Sequence, residues 1–291
     1  MMDFGRLLTA MVTPFDDNNQ MDLNITTELV EHLLATGSEG LVVAGTTGES
    51  PTLSHEEKMQ LFEHVVKVVD GRVPIIAGTG NNDTQASIEL TKEAEQIGID
   101  AALIVTPYYN KPNQEGLYQH FAAIADQTKL PIMLYNIPSR AVVRLNVETV
   151  VALSQIENIV SVKDSTGDLD GIASILEQVE DGFTVYSGDD SLTLPIHSIG
   201  GSGVVSVASH IIGKEMREMI ALFEQGKVRE AGQMHRKLLP VMRALFMAPS
   251  PSPVKSALKY QQIEVGSVRL PLVPLSPFEE QNLFRVIEPF Q

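Results

Sequence analysis

The stretch Ile159-Val160-Ser161-Val162-Lys163-Asp164-Ser165-Thr166-Gly167-Asp168 holds the residue with the most pointed chemistry in the chain. An apolar run ends on a lysine, a polar glycine-containing turn follows, and helical spacing then runs from Leu169 to Val179. This pattern reads as strand, loop and helix, with Lys163 at the carboxyl end of the strand. Strict alternation puts Lys163 on one face with Ser161 and Ile159, opposite Val160 and Val162. Burial there disfavours a lysine's ammonium form, and the same cost makes a neutral amine available to attack a carbonyl. The plainer reading is a strand-end lysine that reaches solvent, and only the surrounding residues decide between the two.

A lysine amine that attacks a keto group and expels water leaves an iminium. Loss of a proton from the adjacent methyl then gives an enamine, a carbon nucleophile. Those transfers need a proton shuttle close to the nitrogen and the carbonyl oxygen, and a tyrosine relayed to a threonine and a second tyrosine can supply one. Such groups recur at the ends of other apolar runs: Thr46 and Thr47, Tyr108 and Tyr109, Tyr135 and Arg140, and Gly188. Of six tyrosines, Tyr108, Tyr109, Tyr135 and Tyr186 fall at or near such ends, although any one alone could be an amphipathic ring capping a core. Arg140 offers a forked, permanently charged partner for a substrate carboxylate, or else is a surface arginine after Pro138.

The elements that must position these groups alternate without a break. Strands are expected at residues 7–13, 40–44, 73–77, 101–106, 131–135, in the run ending at Lys163, and at 183–187 and 203–207. Helical spacing follows each, beginning with residues 25–34 and with the capping box Ser54-x-x-Glu57 that opens a helix to about Val69. Eight strand-then-helix units, most with near-continuous apolar strands, predict an α/β fold, a (β/α)8 TIM barrel with a C-terminal helical appendage. An open doubly wound sheet would usually carry a glycine-rich phosphate turn after its first strand, where this chain has Thr13-Pro14-Phe15. The barrel is expected over residues 1–224. Residues 225–291 form the appendage, with helical spacing from Lys227 to Phe246 broken at Pro240 and shorter helices near 255–261 and 277–287. In such a barrel the chemistry sits on loops at the carboxyl ends of the strands, where the candidates collect.

Composition narrows the function. The 291 residues are 43% hydrophobic, enough for a large core, and the formal net charge of −16 argues against a nucleic-acid partner. There is no cysteine, so disulfides, thiolate nucleophiles and cysteine-held metals are excluded. The seven histidines show no metal-ligand spacing, and Asp16-Asp17 and Asp189-Asp190 suit turns and helix caps better than a metal. Neither a signal peptide nor an apolar run long enough to span a bilayer is apparent, and no membrane association and a cytoplasmic location are expected. No Gly-x-Ser-x-Gly elbow marks a serine hydrolase.

Four motifs carry a resemblance: Gly45-Thr46-Thr47-Gly48-Glu49-Ser50, Val105-Thr106-Pro107-Tyr108-Tyr109-Asn110, Leu134-Tyr135-Asn136-Ile137-Pro138-Ser139-Arg140, and Lys163-Asp164-Ser165-Thr166-Gly167-Asp168. With these the chain resembles, over essentially its whole length, the dihydrodipicolinate synthase branch of the pyruvate-dependent aldolases, the family that includes N-acetylneuraminate lyase. The resemblance implies a lyase that condenses pyruvate with L-aspartate 4-semialdehyde on the route to diaminopimelate and lysine, with no cofactor and no metal. It implies that Lys163 forms the Schiff base, that Tyr135 donates and accepts protons, and that Thr46 and Tyr109 complete the relay. Tyr109 would reach in from a neighbouring subunit of a homotetramer built as a dimer of dimers. Thr47 would hold the pyruvate carboxylate, Gly188 and Val205 would line the site, and Arg140 would bind the semialdehyde carboxylate.

The chain departs from the family pattern in places. Ala141-Val142 stands where many synthases have Thr-Gly, and the Lys-Asp-Ser-Thr-Gly turn is closer to some sugar-acid aldolases, the alternative activity. A non-catalytic barrel binding a keto acid or amino acid is the other alternative, and a complete relay argues against it. Lysine-inhibited relatives carry histidine where Lys58 stands and glutamate where Ala86 stands, so lysine feedback is not expected although His55, Asn82 and Tyr108 match.

Overall fold

Parallel strands buried on both faces must hide two apolar surfaces, and a closed ring of strands wrapped in helices does so without leaving an edge. The computed structural model, which describes residues 4–290, has this form. Its strands are Leu7–Ala10 (β1), Gly40–Val43 (β2), Ile75–Gly78 (β3), Ala101–Val105 (β4), Ile132–Asn136 (β5), Ile159–Asp164 (β6), Thr184–Ser187 (β7) and Gly203–Ser206 (β8). They pair in parallel in sequence order, and β8 closes on β1 through Leu8 opposite Val205. The expected strands are all present. β1, β2, β4 and β8 stop short of their apolar runs at the carboxyl end, where the chain enters the loops, and β3, β5 and β7 begin one or two residues late.

Helices Leu23–Ala35, His55–Val69, Thr84–Ile97, Gln114–Ala125, Val147–Leu153, Leu169–Gln178, Thr193–Ser198 and Ser209–Glu224 sheathe the barrel. Their starts follow local chemistry: Asp22, Asp83, Asn113 and Asp168 each accept a backbone N–H of the first turn, and Ser54 and Glu57 close the expected capping box. The last of these helices is kinked at Ile212, whose backbone is non-helical at φ −124° and ψ 36°, and its first turn buries Ser209 and His210.

Three expectations fail. Lys227–Phe246 is not broken at Pro240, since one helix, Val228–Ala244, runs through it. The proline and Arg236, whose carbonyl loses a donor, are both exposed, so water can satisfy that carbonyl while Leu238, Val241 and Met242 pin the buried face. Strict alternation also fails in β6, where the register against β5 shifts between Ile132 opposite Ile159 and Met133 opposite Ser161. This bulge sends Ile159 to the helix-side core and Val160 toward the barrel interior, and inward-facing residues resume at Ser161 and Lys163.

The interior is filled from below by Phe4, Leu8, Val42, Ile76, Met133 and Tyr186. Tyr186 is part of this plug, its hydroxyl donating to the Gly5 carbonyl at 2.8 Å on the side opposite the loops. It is therefore no member of the tyrosine group at the carboxyl-end rim. Helices Val228–Ala244, Ser252–Tyr260 and Pro277–Ile287 share one apolar core with β1, β2 and the first two sheathing helices, through residues such as Leu238, Val254, Leu258 and Leu283.

Candidate active site

Strand register brings the two central groups together. In the pairing of β5 with β6, Tyr135 lies opposite Lys163, so both side chains enter the barrel at one level. The Lys163 ammonium sits 4.1 Å from the centre of the Tyr135 ring. Both are buried, Lys163 to 6% and Tyr135 to 5% exposure, so the bland picture of a lysine reaching solvent does not hold. Gly188, opposite them at the end of β7, is glycine for a steric reason. A Cβ there would collide with Ser165 Oγ and stand 3.0 Å from Lys163 Cε.

A cavity of about 350 Å³ opens above this pair at the carboxyl end of the barrel, lined by Thr46, Thr47, Tyr135, Arg140, Lys163, Gly188 and Val205 among others. Seven of the eight residues singled out from the sequence therefore share one space. The eighth, Tyr109, does not line it. Its backbone is left-handed at φ 73° and its side chain is 89% exposed, pointing away from the cavity of its own chain. A second space of about 460 Å³ lies behind the same wall of Thr46, Tyr135, Ile137 and Arg140 and extends to Lys58, Asn81 and Tyr108. Asn82 braces it by donating to the Tyr108 carbonyl at 3.1 Å, burial lowers the pKa of Lys58, and His55 faces Glu93 instead, at 2.8 Å. Ala141 lines this second space, whereas Val142, left-handed at φ 66°, points outward.

Two carboxylates near the carboxyl ends of the strands, Asp164 and Asp190, are buried and hydrogen-bonded. The Asp164 carboxylate accepts from the Thr166 amide at 2.8 Å and hydroxyl at 2.5 Å, and burial raises its pKa against the pull of those bonds. Asp190 accepts from Ser206 Oγ at 2.5 Å and from the amides of Val207 and Ala208, which fixes the end of β8 beside Val205. Its pKa is pushed up to about 6 by complete burial.

The chain as a whole has counterparts among known proteins. The model of the dihydrodipicolinate synthetase family matches residues 3–289. The chain belongs to that family. It is 61% identical over 287 residues to 4-hydroxy-tetrahydrodipicolinate synthase 2 of Halalkalibacterium halodurans, covering 99% of this chain and 98% of the relative. It is 57% identical over 290 residues to the 4-hydroxy-tetrahydrodipicolinate synthase of Oceanobacillus iheyensis, covering 100% and 98%. The crystal structure of a dihydrodipicolinate synthase from Bacillus anthracis superposes with a TM-score of 0.98 at 56% identity over the whole of both chains. A lysine-bound relative from Cyanidioschyzon merolae gives 0.96 at 43% identity, covering 98% of this chain and 97% of the other.

Within the family frame, the structure adds site residues that the sequence reading passed over. Arg243 and Phe246, from the C-terminal helical region, line the lysine cavity, as does Ser165. Ser165 Oγ is buried with no hydrogen-bond partner within the described chain. The Lys-Asp-Ser-Thr-Gly turn could have drawn attention to Ser165, since its hydroxyl follows Lys163 by two residues at the strand's end. No local signal marks Arg243, which reaches the site only through the tertiary packing of its helix.

Proposed function

We propose that the protein condenses pyruvate with L-aspartate 4-semialdehyde to 4-hydroxy-tetrahydrodipicolinate through a Schiff base on Lys163. The observation that carries this reading is the buried Lys163 amine stacked on Tyr135 beneath a cavity that also holds Thr46, Thr47 and Arg140. The amine attacks the pyruvate keto carbon, and the hydroxyl of the resulting carbinolamine leaves as water. The iminium withdraws electrons from the methyl, which loses a proton to become an enamine, and the enamine carbon attacks the aldehyde. The amino group of the semialdehyde then adds to the same iminium carbon and expels the lysine, closing the ring. Tyr135, whose ring lies against the nitrogen, is the proton carrier, Thr46 its relay partner, Thr47 the holder of the pyruvate carboxylate and Arg140 the fork for the second carboxylate.

The relay also takes Tyr109, delivered by a neighbouring copy in a homotetramer of two such pairs. Support comes from its 89% exposure at the tip of a loop that leads away from its own cavity. Residues 225–291 act as an appendage that completes the cavity wall through Arg243 and Phe246. The reaction belongs in the cytoplasm, where its keto-acid and amino-acid substrates are made. Free L-lysine is expected to leave the rate unchanged, because the half-buried Lys58 ammonium repels a second cation.

The test is to reduce the protein with borohydride in the presence of pyruvate and locate the added mass, then to follow consumption of both substrates together. An adduct on Lys163 with semialdehyde-dependent turnover is expected. An adduct without it would move the activity to another aldehyde, and no adduct on Lys163 would end the Schiff-base reading.

A further inference from the structure

Thr46 and Thr47 stand on a short turn whose shape is held from outside the barrel. The Glu49 amide donates to the Thr46 carbonyl at 3.1 Å, so Glu49 closes the turn that carries both threonines. The backbone at Ala44 and Glu49 is left-handed, at φ 51° and 55°, on either side of them. Glu49 is 2% exposed, and its two carboxylate oxygens go to different parts of the C-terminal region. Oε1 lies 2.8 Å from the ammonium of Lys255, on helix Ser252–Tyr260, and Oε2 accepts the Arg269 amide at 2.8 Å.

Lys255 is itself 3% exposed and directs a hydrogen bond to the Ser267 carbonyl at 2.8 Å. Both Lys255 and Arg269 stack on the Phe15 ring, at 4.2 and 4.1 Å, and the Arg269 guanidinium grips Glu57. A buried ion pair seldom adds net stability over an apolar pair of the same volume, because desolvation offsets the attraction. It does fix a carboxylate in two directions at once, which an apolar contact cannot do.

We propose that the Glu49–Lys255 ion pair is a positioning device: through it the C-terminal region sets the placement of Thr46 and Thr47, and with it the affinity for the keto acid and the rate of iminium formation. The inference rests on the reading above that these threonines hold and relay to the keto acid. Neither Glu49 nor Lys255 lines the lysine cavity, so both act through the turn.

The pH response separates this role from a plain contribution to folding. Burial lowers the Lys255 pKa to about 8, with Glu49 opposing the shift and Arg269 adding to it. The charged groups facing the pair are Arg269 and, behind it, Glu57. Above about 8 the folded protein loses this proton, whereas the unfolded chain holds it to the ordinary value of 10.5. The unfolded chain then binds more protons, so this group's contribution to stability rises across that window while the ion pair disappears. The pyruvate KM should rise above that pH without a matching fall in thermal midpoint from this group.

The deciding experiment is the neutral double variant Glu49→Gln/Lys255→Met, with thermal midpoint, borohydride labelling of Lys163 and steady-state kinetics measured on the same preparation. The expected result is a midpoint near that of the parent, full labelling at saturating pyruvate, and a pyruvate KM raised about tenfold or more, with iminium formation slowed to match. A folded variant with KM and kcat within about twofold of the parent would overturn the proposal. So would a kcat reduced only in proportion to the labelled sites with KM unchanged, since that is lost protein and not a displaced turn. If the double variant does not fold, Glu49→Gln alone carries the same test, because it keeps the shape and the Arg269 contact. Failure of the parent protein to label at Lys163 would instead refute the function proposed above, whatever the variants do.

Discussion

The loop after β2 and the loop after β4 both carry hydroxyl groups of the proposed relay, yet they are built in opposite ways. The first, with Thr46 and Thr47, is tied down on every side: Thr13 Oγ1 donates to the Gly48 carbonyl at 2.7 Å, and the Glu49 carboxylate is gripped by the C-terminal region. The second carries Tyr109 outward, with left-handed backbone at both Tyr109 and Lys111 and an exposed ring. One loop is positioned by its own chain, and the other turns its residue away from that chain's cavity. On the reading proposed above, the difference teaches that a single chain, barrel and C-terminal region together, places the groups for the covalent step at Lys163, whereas the Tyr109 hydroxyl is left for a neighbour to use.

The sharpest way to break that comparison is subunit mixing. Lys163→Ala should abolish turnover and labelling, and Tyr109→Phe should lower kcat about a hundredfold while leaving labelling of Lys163 intact. If Tyr109 serves a neighbour, mixed assemblies of the two inactive variants regain activity, because some sites then pair an intact lysine with an intact tyrosine. Unmixed activities that merely add would show that each chain completes its own site. Next in size is the pair of arginines at the cavity. Arg140→Ala should raise the semialdehyde KM about thirtyfold or more, the loss of a charge-assisted contact. Arg243→Ala should cost only about threefold, and that loss should shrink at high salt, as expected for a guanidinium that steers anions toward a protein of net charge −16.

Smaller still, Ser165→Ala should change kcat by about twofold to fivefold, since its unpartnered hydroxyl can assist but not replace the Tyr135 relay. The least effect is on stability in acid. Burial holds the pKa of His210 down to about 4, and that of His120 likewise to about 4. The unfolded chain binds these protons from about 6.5 downward, so stability is lost as pH falls from about 6.5 to 4. Asp190, raised to about 6, works the other way: its contribution is present at low pH and gone above about 6. Thermal melts across that range should therefore drop by on the order of a few degrees, and Asp190→Asn should steepen the drop if its hydrogen bonds survive.

What could be read from the sequence followed from periodicity. Eight apolar runs closed by polar loops predicted the barrel, and the ends of those runs collected six cavity residues, because parallel strands deliver their carboxyl ends to one rim; the seventh, Val205, came from the family resemblance. What could not be read depends on contacts distant in the chain. The β6 bulge arises from register against β5, Pro240 is tolerated because its side of the helix faces water, and Tyr186 was misplaced because alternation gives a face but not the direction in which a long ring leans. Arg243 and Lys255 belong to a region where helical spacing predicts helices and nothing predicts which residues reach the barrel. Glu49 was legible only as part of a motif; its buried partners were not.

The reach of that last contact bears on how the chain is made. Glu49 and the Arg269 amide that it accepts are separated by 220 residues. At a synthesis rate of about 5–20 residues per second, the carboxylate is complete roughly ten to forty seconds before its partner leaves the ribosome. Only in the last part of that interval, once β8 is complete, can a nascent barrel pair all its strands and bury Lys163, and until Lys255 and Arg269 follow, the threonine turn has no clamp and Glu49 no counter-ion. Activity should therefore appear late and abruptly during translation, with release of the last helices, and not gradually as the strands accumulate.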